Sequence, residues 1–294
     1  MIIKEISQLT PVSQRAIIIN HNTKWVTFLA LLSALRYANI PVLLIDCASN
    51  DGSFAFFESV MDKYDFDLMT APLKKHGHTL DWIFSSIQDD KLLLIDSDLE
   101  ILDNRIISFL NKDIDAPEVF ASGFLNGPGW LKDETLKGTA YENALYYERP
   151  FMPIVLWKVQ YVKEALNAGH SFAEKMVNNE FAQLPSGLSG ITRRIFKIIK
   201  KESPDLFRKR YFLSYPKKIF YDTGADIYEY LRYDRFLFFV NLPEPFHSKY
   251  ATHFWGATRN TINSNDKHTG QIIKSDNLHE VVLQRLKTVY NEVI

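Results

Sequence analysis

The sequence predicts an α/β fold in which a mostly parallel central sheet carries helices on both of its faces. Three observations predict this class. Short apolar runs rich in Ile, Leu and Val alternate with helical patterns in the first third of the chain. These runs lack the polar alternation of a half-exposed strand, so each predicted strand is buried on both sides. The segments between the runs are long enough for the crossover helices that parallel strands require.

Each element follows from a local pattern. Apolar residues spaced three and four apart predict helices, whereas short unbroken apolar runs predict buried strands. In chain order, the patterns predict strand 15–20, helix 25–38, strand 41–46, helix 51–64, strand 66–70, helix 79–88 and strand 91–96. The later, looser patterns predict strand 118–125, strand 151–158, helix 159–169, a helix that starts near Asp222, strand 235–242 and a helix from Asn277.

Polar clusters follow three of the predicted parallel strands. They are Asn20-His21-Asn22, Asp46 with residues 49–53, and Asp96-Ser97-Asp98. In open α/β sheets, ligands bind in the crevice beyond the carboxyl ends of the strands. We therefore expect the three clusters to meet at one edge of the sheet and to form the functional site there.

Composition and charge exclude several classes of protein. The 294 residues are compatible with one large α/β domain or two small ones. A formal net charge of -1 argues against a nucleic-acid partner, and the single cysteine, Cys47, excludes internal disulfides and a Cys-rich zinc site. No signal-peptide core and no apolar run of about 20 residues is present, so we expect a cytoplasmic protein.

The stretch KLLLIDSDLEIL, from Lys91, carries the clearest chemical signal. Asp96 and Asp98 directly follow an apolar run, where burying an unpaired carboxylate is costly. Residues i and i+2 of a strand point to one face, so the two carboxylates can share one divalent cation. The alternative is a solvated turn in which Asp98 caps a short helix. A phosphatase of the haloacid-dehalogenase class also uses Asp-x-Asp, but it would continue with Gly-Thr instead of Leu99-Glu100.

Three segments together resemble the GT-A glycosyltransferases, especially their family 2-like group. The segments are IIINHNTKWVTFLALLSAL, PVLLIDCASNDGS and KHGHTLDWIFSSIQDDKLLLIDSDLEIL. The resemblance covers the first third of the chain well and the remainder loosely. It implies a GT-A, Rossmann-like fold whose nucleotide-sugar-binding half is 1–112. The acceptor-binding half is then 113–260, and a C-terminal loop and helix occupy 261–294.

The resemblance implies a set of residues on the nucleotide side of the site. Asp46 matches the carboxylate that reads the nucleotide base. Asn20 and Asn22 lie in the loop that usually touches the nucleotide. Asp96 is implied to lie near the ribose and the metal.

The resemblance also implies a centre for Mn²⁺ or Mg²⁺. Asp98 is the candidate for direct coordination, beside Asp96. A late histidine often completes this metal site, and His253 in THFWG is the first choice, with His247 as the second; a lone histidine is otherwise often structural. Arg259 is placed to assist the leaving diphosphate, unless it is a surface charge.

An inverting enzyme of this group needs a carboxylate that deprotonates the acceptor hydroxyl. The segment YDTGAD offers Asp222, with Asp226 as the alternative. Asp222 could instead be an ordinary N-cap, and a position at a helix N-terminus would weaken it as a base. The Glu-Asp pair that is usual in the family is absent, which leaves the identity of the base and the inverting outcome open.

A basic segment at 191–218 has two interpretations. Its isoleucines fall close to one helical face, so its first half is amphipathic and could lie on an anionic membrane. This would suit an acceptor on a lipid diphosphate. The alternative is a helix with a solvated basic face that packs on the domain.

From the residues and the resemblance we expect a metal-dependent glycosyltransferase. It would use a nucleotide sugar, with UDP as the expected nucleotide, and a glycan or lipid-linked glycan acceptor. It would be cytoplasmic or peripheral on the inner face of the membrane. Two alternatives stay open: a nucleotidyltransferase on a similar sheet, and a non-catalytic module that binds nucleotide or sugar. The first would need a Gly-rich phosphate loop after the first strand, and NHNTKW has no glycine.

Overall fold

The computed structural model describes residues 1–126, 129–130, 144–178, 218–242, 249–254 and 278–293. Their strands, numbered along the chain, are β1 (Ile2–Ile3), β2 (Gln14–Asn20), β3 (Val42–Cys47), β4 (Asp67–Ala71), β5 (Lys91–Asp96), β6 (Leu99–Ile101), β7 (Val119–Asn126), β8 (Gly129–Trp130), β9 (Leu145–Tyr146), β10 (Arg149–Lys158), β11 (Lys175–Asn178), β12 (Lys218–Tyr221), β13 (Phe238–Asn241) and β14 (Ala251–His253). The helices are α1 (Lys24–Tyr37), α2 (Ser53–Val60), α3 (His76–Ser86), α4 (Arg105–Asn111), α5 (Val159–Asn167), α6 (Ala225–Glu229) and α7 (Leu278–Tyr290).

Eight strands form the central sheet, in the order β1-β4-β3-β2-β5-β10-β7-β13. The first five strands of the sheet, β1, β4, β3, β2 and β5, are each parallel to their neighbours in this group. Strand β10 runs antiparallel to both β5 and β7, and β13 returns parallel to β7. The predicted α/β class with a mostly parallel sheet is therefore confirmed. Strands of both 1–112 and 113–260 contribute to this sheet.

Hydrophobic cores on both faces hold the sheet, because successive residues of each strand point to opposite sides. On β2, Ile18 packs in a core with Phe28 of α1. Its neighbour Ile17 packs in a second core with Phe84 of α3. The unbroken apolar runs of the sequence thus correspond to strands that are covered on both sides, as predicted.

Helix α1 is buried along most of its length, since it lies between the sheet and the C-terminal helix. Residues 26–34 of α1 are all buried. Helix α7 packs against α1 and buries Val282 and Leu286 in the same core. A helix that is apolar on every side is expected to be enclosed in this way.

Two smaller sheets adjoin the central one. Strands β11, β12, β9 and β8 form a four-stranded sheet, and β14 pairs with β6. The prediction of a helix near Asp222 was wrong by three residues. Helix α6 begins at Ala225, after Gly224 with φ of 84°, and continues as one π-helical turn over Tyr230–Asp234. The sequence also gave no prediction for β6 and β14, because strands of three residues carry no periodic signal.

The carboxyl edge of the parallel strands collects the predicted polar clusters. Asn20, at the end of β2, lies beside Asp46 of β3, and Ile19 lies beside Asp96 of β5. No helix in the described part of the chain has the length and apolar character needed to cross a membrane. His247, Arg259 and all of the basic segment except Lys218 lie outside the described residues.

Candidate functional site

The turn after β5 brings two carboxylates and an imidazole together. Asp96 ends β5, Asp98 lies in the turn before β6, and His253 ends β14. One ligand atom of each lies within 4.8 Å of those of the other two. Nε2 of His253 and Oδ1 of Asp98 are 2.9 Å apart. The two carboxylates meet through a turn, and not through strand alternation as the sequence predicted, because β5 stops at Asp96.

Backbone pairing positions His253 over this turn. In the antiparallel pair of β6 and β14, His253 lies opposite Leu99. The amide of Phe254 donates a hydrogen bond of 2.8 Å to the carbonyl oxygen of Asp98. The ring of Phe151 meets the imidazole edge-on at 5.8 Å. The direction of the imidazole toward Asp98 therefore follows from the strand register and not from a flexible side chain alone.

The donor set of this cluster fits a divalent cation such as Mn²⁺ or Mg²⁺. Carboxylate oxygens suit both ions, and imidazole nitrogen suits a transition metal. Adjacent ligands of an octahedral site with bonds of about 2.1 Å lie about 3 Å apart, and opposite ligands about 4.2 Å apart. The 2.9 Å between Asp98 and His253 matches an adjacent pair.

The cluster is closed on one side and open on the other. Asp98 is buried, whereas Asp96 and His253 are half-buried. Burial raises the pKa of the Asp96 carboxyl, and the neighbouring charge of Asp98 raises it too. Positive charge on His76, His253 and Arg149 acts in the opposite direction. A bound cation would favour the ionised carboxylates.

The loops after β2 and β3 are joined by a buried polar network around Asp46. Oδ1 of Asp46 accepts hydrogen bonds from Nδ2 of Asn20 at 2.5 Å and from Oγ of Ser49 at 2.6 Å. Its Oδ2 accepts one from the amide of Ser49 at 3.1 Å. Asp46 is 2% exposed and Asn20 is fully buried. These two residues hold the loop after β3 from within, and the side chain of Asn20 is turned into the protein.

Asn22 is the accessible member of the predicted nucleotide loop. It is half-buried and adopts the left-handed backbone conformation, with φ of 54°. The backbone amide of Asn22 donates to Oγ of Ser49 at 2.9 Å, and the side-chain Oδ1 of Asn22 accepts from the backbone amide of Asn50 at 2.7 Å. The loops after β2 and β3 therefore form one connected surface at the edge of the sheet.

The two predicted base residues have different surroundings. Asp226 has a side chain only 4% exposed, and it pairs with Nζ of Lys175 at 2.8 Å and with Nδ1 of His170 at 3.1 Å. Burial alone would raise the pKa of Asp226, but the hydrogen bonds from Lys175 and His170 outweigh burial and lower it. A residue enclosed in this way does not suit proton abstraction from an acceptor, so Asp226 is better explained as a structural residue.

Asp222 is more exposed to solvent than Asp226. It is 23% exposed, and its Oδ2 is 2.7 Å from Nη2 of Arg149. The amide of Thr223 donates to its Oδ1 at 2.7 Å. Asp222 is not the N-cap that the sequence also suggested, because Gly224 occupies that position.

Sequence reasoning missed two residues that face the cluster. They are His76, at the start of α3, and Arg149, at the start of β10 and two residues before Phe151, whose ring packs edge-on against His253. His76 also lines a small cavity with Asp96 and Met152. Arg149 is visible in the sequence as a lone basic residue in ERPF. Only the antiparallel pairing of β10 with β5 brings it to this site.

Comparison with solved structures finds glycosyltransferases among the chains that this protein is similar to. The mannosyltransferase PcManGT from Pyrobaculum calidifontis, in complex with GDP-Man and Mn²⁺, is 13% identical with a TM-score of 0.41 over 58% of this chain and 50% of that one. The glycosyltransferase GlyE of Streptococcus pneumoniae TIGR4 is 12% identical, with a TM-score of 0.39 over 80% of this chain and 46% of that one. A 4-diphosphocytidyl-2C-methyl-D-erythritol synthase of Anaerococcus prevotii DSM 20548 is 10% identical, with a TM-score of 0.38 over 53% of this chain and 74% of that one.

The chain thus spans about half the length of the two glycosyltransferases. No protein-family model and no curated protein matches the sequence. Because the TM-scores and identities are low, the functional interpretation rests on the chain's own site and not on these similarities.

Proposed function

We propose that the protein is a metal-dependent glycosyltransferase that uses a nucleotide-sugar donor. The observation that carries this proposal is the cluster of Asp96, Asp98 and His253 at the carboxyl edge of a parallel sheet. The loop network around Asp46 lies along the same edge, two strands away from β5. A cation site beside a polar loop pair, at the usual ligand crevice of such a sheet, suits a nucleoside diphosphate.

Asp96, Asp98 and His253 would hold Mn²⁺ or Mg²⁺. When bound, the ion neutralises charge that develops on the leaving diphosphate. Asp98 and His253 hold each other in place, so the site is preorganised for the ion. The proton between them must leave when a metal binds, because metal ligands bind in their deprotonated form. The open side at Asp96 and His253 gives the diphosphate access to the ion.

The remaining assignments belong to the same proposal. UDP is the proposed nucleotide, Asp46 and Asn22 belong to its loop, and the acceptor is a glycan or lipid-linked glycan. Transfer with inversion would need a base; Asp222 is the more exposed of the two predicted carboxylates, but both of its oxygens already have partners. A location in the cytoplasm or at the inner face of the membrane is part of this proposal.

A thermal-shift experiment tests the proposal. UDP and UDP-sugars should raise the melting temperature of the wild-type protein in the presence of Mn²⁺ and much less in its absence, because a ligand stabilises the state that binds it. The variant Asp98→Ala should lose the Mn²⁺-dependent part of the shift. Asp115→Asn is a matched control, since Asp115 is 80% exposed and pairs with Lys91 at the other end of β5.

Turnover separates the proposed enzyme from a binding module. Mn²⁺-dependent release of free sugar from a UDP-sugar, lost in Asp98→Ala, is expected of a transferase that lets water replace its acceptor. A protein that binds nucleotide without any hydrolysis or transfer would be a binding module. Incorporation of the nucleotide into a product, with release of diphosphate, would identify a nucleotidyltransferase.

A further inference from the structure

A side chain absent from the sequence-based site lies at its open edge. Arg149 is the first residue of β10, at the end of that strand that lies beyond the carboxyl edge of β5. Its side chain is 19% exposed, so it is anchored in the protein but still reaches solvent. Phe151, two residues further along the same strand, has its ring 5.8 Å from the imidazole of His253, so the start of β10 lies beside the cluster.

The guanidinium of Arg149 is held at two points and has donors to spare. Nη2 pairs with Oδ2 of Asp222 at 2.7 Å, and Nη1 donates to the carbonyl oxygen of Pro150 at 3.2 Å. A guanidinium has five N–H donors. Within the described part of the chain these two contacts use two of the five, so further donors remain for a ligand.

The turn that carries Asp222 is itself fixed. The amide of Thr223 binds Oδ1 of Asp222, and Gly224 has φ of 84°. A Cβ on Gly224 would lie 2.9 Å from Sδ of Met152, so the turn packs directly on β10. Because Met152 and Arg149 belong to one strand, the distance between Asp222 and Arg149 is set by packing and not by chance contact of two long side chains.

The chemistry of the guanidinium favours a phosphate at Arg149. Arg149 already balances the carboxylate of Asp222. A divalent cation would balance Asp96 and Asp98, so a diphosphate would not meet uncompensated negative charge there. Arginine binds phosphate oxygens with paired N–H donors, and such charge-assisted bonds are about twice as strong as neutral ones.

We propose that Arg149 binds a phosphate oxygen of the donor's diphosphate, and that Asp222 is the positioning residue that aims Arg149 at it. This inference rests on the proposed function. It gives Asp222 a role other than the general base that the sequence predicted, since both of its carboxylate oxygens already have partners.

Calorimetric titration of the full chain with UDP and with UMP, in the presence of Mn²⁺, tests this. Arg149→Ala should weaken UDP binding about 10- to 100-fold, the range expected for a lost charge-assisted contact, and should weaken UMP binding less. Arg149→Lys keeps the positive charge but loses the paired N–H donors of the guanidinium. Its affinity for UDP should lie between those of Arg149→Ala and the wild type. Arg235→Ala is the matched control. Arg235 lies outside the site, where its Nε is 2.5 Å from Oε1 of Glu164.

The positioning role of Asp222 has its own readout. Asp222→Asn should weaken UDP binding in the same direction as Arg149→Ala but less, and the double variant Arg149→Ala/Asp222→Asn should bind no more weakly than Arg149→Ala alone. A merely structural role would lower the melting temperature without this non-additive loss of affinity. Binding of Mn²⁺ without nucleotide should be retained in each variant.

Three results would overturn the inference. UDP affinity within twofold of wild type in both Arg149 variants would show that Arg149 does not bind the diphosphate. Equal losses for UDP and UMP would place Arg149 elsewhere on the ligand. Asp222→Asn with unchanged UDP affinity and lost transfer would restore Asp222 as a base. If the wild-type protein bound no UDP with Mn²⁺, the proposed function would itself fail, which is a separate outcome.

Discussion

At the scale of single residues, the proposed metal site depends on the contact between Asp98 and His253. The variant His253→Ala should weaken binding of Mn²⁺ to the nucleotide-free protein at least about tenfold, because loss even of an outer-shell partner costs that much at metal sites. Electron paramagnetic resonance of free Mn²⁺ measures this directly. Asp115→Asn should bind Mn²⁺ as the wild type does. Unchanged affinity in His253→Ala would remove the histidine from the site.

Asp226 allows a second test, which separates a structural carboxylate from a catalytic one. Its pKa is lowered in the folded protein, so its contribution to stability is present above the usual value of 3.8 and is lost as the pH falls through the lowered value. Asp226→Asn should therefore destabilise the protein by about 1–3 kcal/mol at pH 7. The difference from wild type should shrink as the pH falls below 3.8, as followed by urea unfolding at several pH values. A difference that stays constant with pH would contradict this account of Asp226.

How far single residues could be predicted depends on how local their signal is. Asp96 and Asp98 stand one residue apart after an apolar run, so their proximity was predictable. His253 lies 155 positions from Asp98 and was reached only through the family resemblance. Arg149 gave no signal, because its place depends on a strand that returns antiparallel after a long excursion. Asn20 was expected in the loop that touches the nucleotide, but it is the last residue of β2 and is fully buried.

At the scale of elements, the first turn of α3 packs directly on the loop before β11. A Cβ on Gly77 would lie 2.5 Å from both Cα of Ala173 and the carbonyl oxygen of Phe172. Gly77→Ala should therefore destabilise the protein by about 1–3 kcal/mol, the cost of overpacking against backbone. Ser85→Ala, on the exposed side of the same helix, is the control and should change stability little. Chemical unfolding that shows equal stability for the two variants would contradict the close approach.

The C-terminal helix α7 holds β6, the strand that follows the turn carrying Asp98. Arg285 forms an ion pair with Glu100 of β6 that includes an Nη2–Oε1 distance of 2.7 Å, and Tyr290 donates to Oε1 of Glu100 at 3.1 Å. Glu100 is only 1% exposed, so Arg285→Met should leave a buried carboxylate without its cation. We expect a loss of about 1–3 kcal/mol, below that of a fully buried pair because Arg285 is 34% exposed.

A double-variant cycle checks this helix contact. Adding Glu100→Gln to Arg285→Met should recover part of the lost stability, because the uncompensated charge is then removed. Unfolding free energies that simply add would show that the ion pair does not hold α7 on β6.

Elements with strong periodicity were predictable, and short elements were not. The strands β2, β3, β4 and β5 and the helices α1 to α3 lie where the apolar patterns placed them, within a few residues. Helix α6 begins three residues after Asp222, because the turn at Gly224 precedes it. The sequence prediction was misled because an Asp ahead of a helix suggests an N-cap whether or not it caps the helix. The pairing of β6 with β14 depends on residues far apart in the chain, which no local pattern encodes.

For the whole molecule, a mostly parallel sheet places its loops at one edge, and this gives the site its position. The mostly parallel sheet and the two-sided burial of its strands were predictable from unbroken apolar runs. The antiparallel strand β10 was not identified as antiparallel, because strand direction leaves no mark on composition. That strand nevertheless brings the second half of the chain to the site, together with Arg149 and the turn at Asp222.

The most direct test of the central claim is an anomalous difference map at the manganese absorption edge, from crystals soaked with Mn²⁺ and UDP. The account predicts a peak within bonding distance of a carboxylate oxygen of Asp98 and of Nε2 of His253, with the diphosphate of UDP on its open side. A map without a peak at this turn, or with Asp98 and His253 still hydrogen-bonded to each other while manganese lies elsewhere, would contradict it.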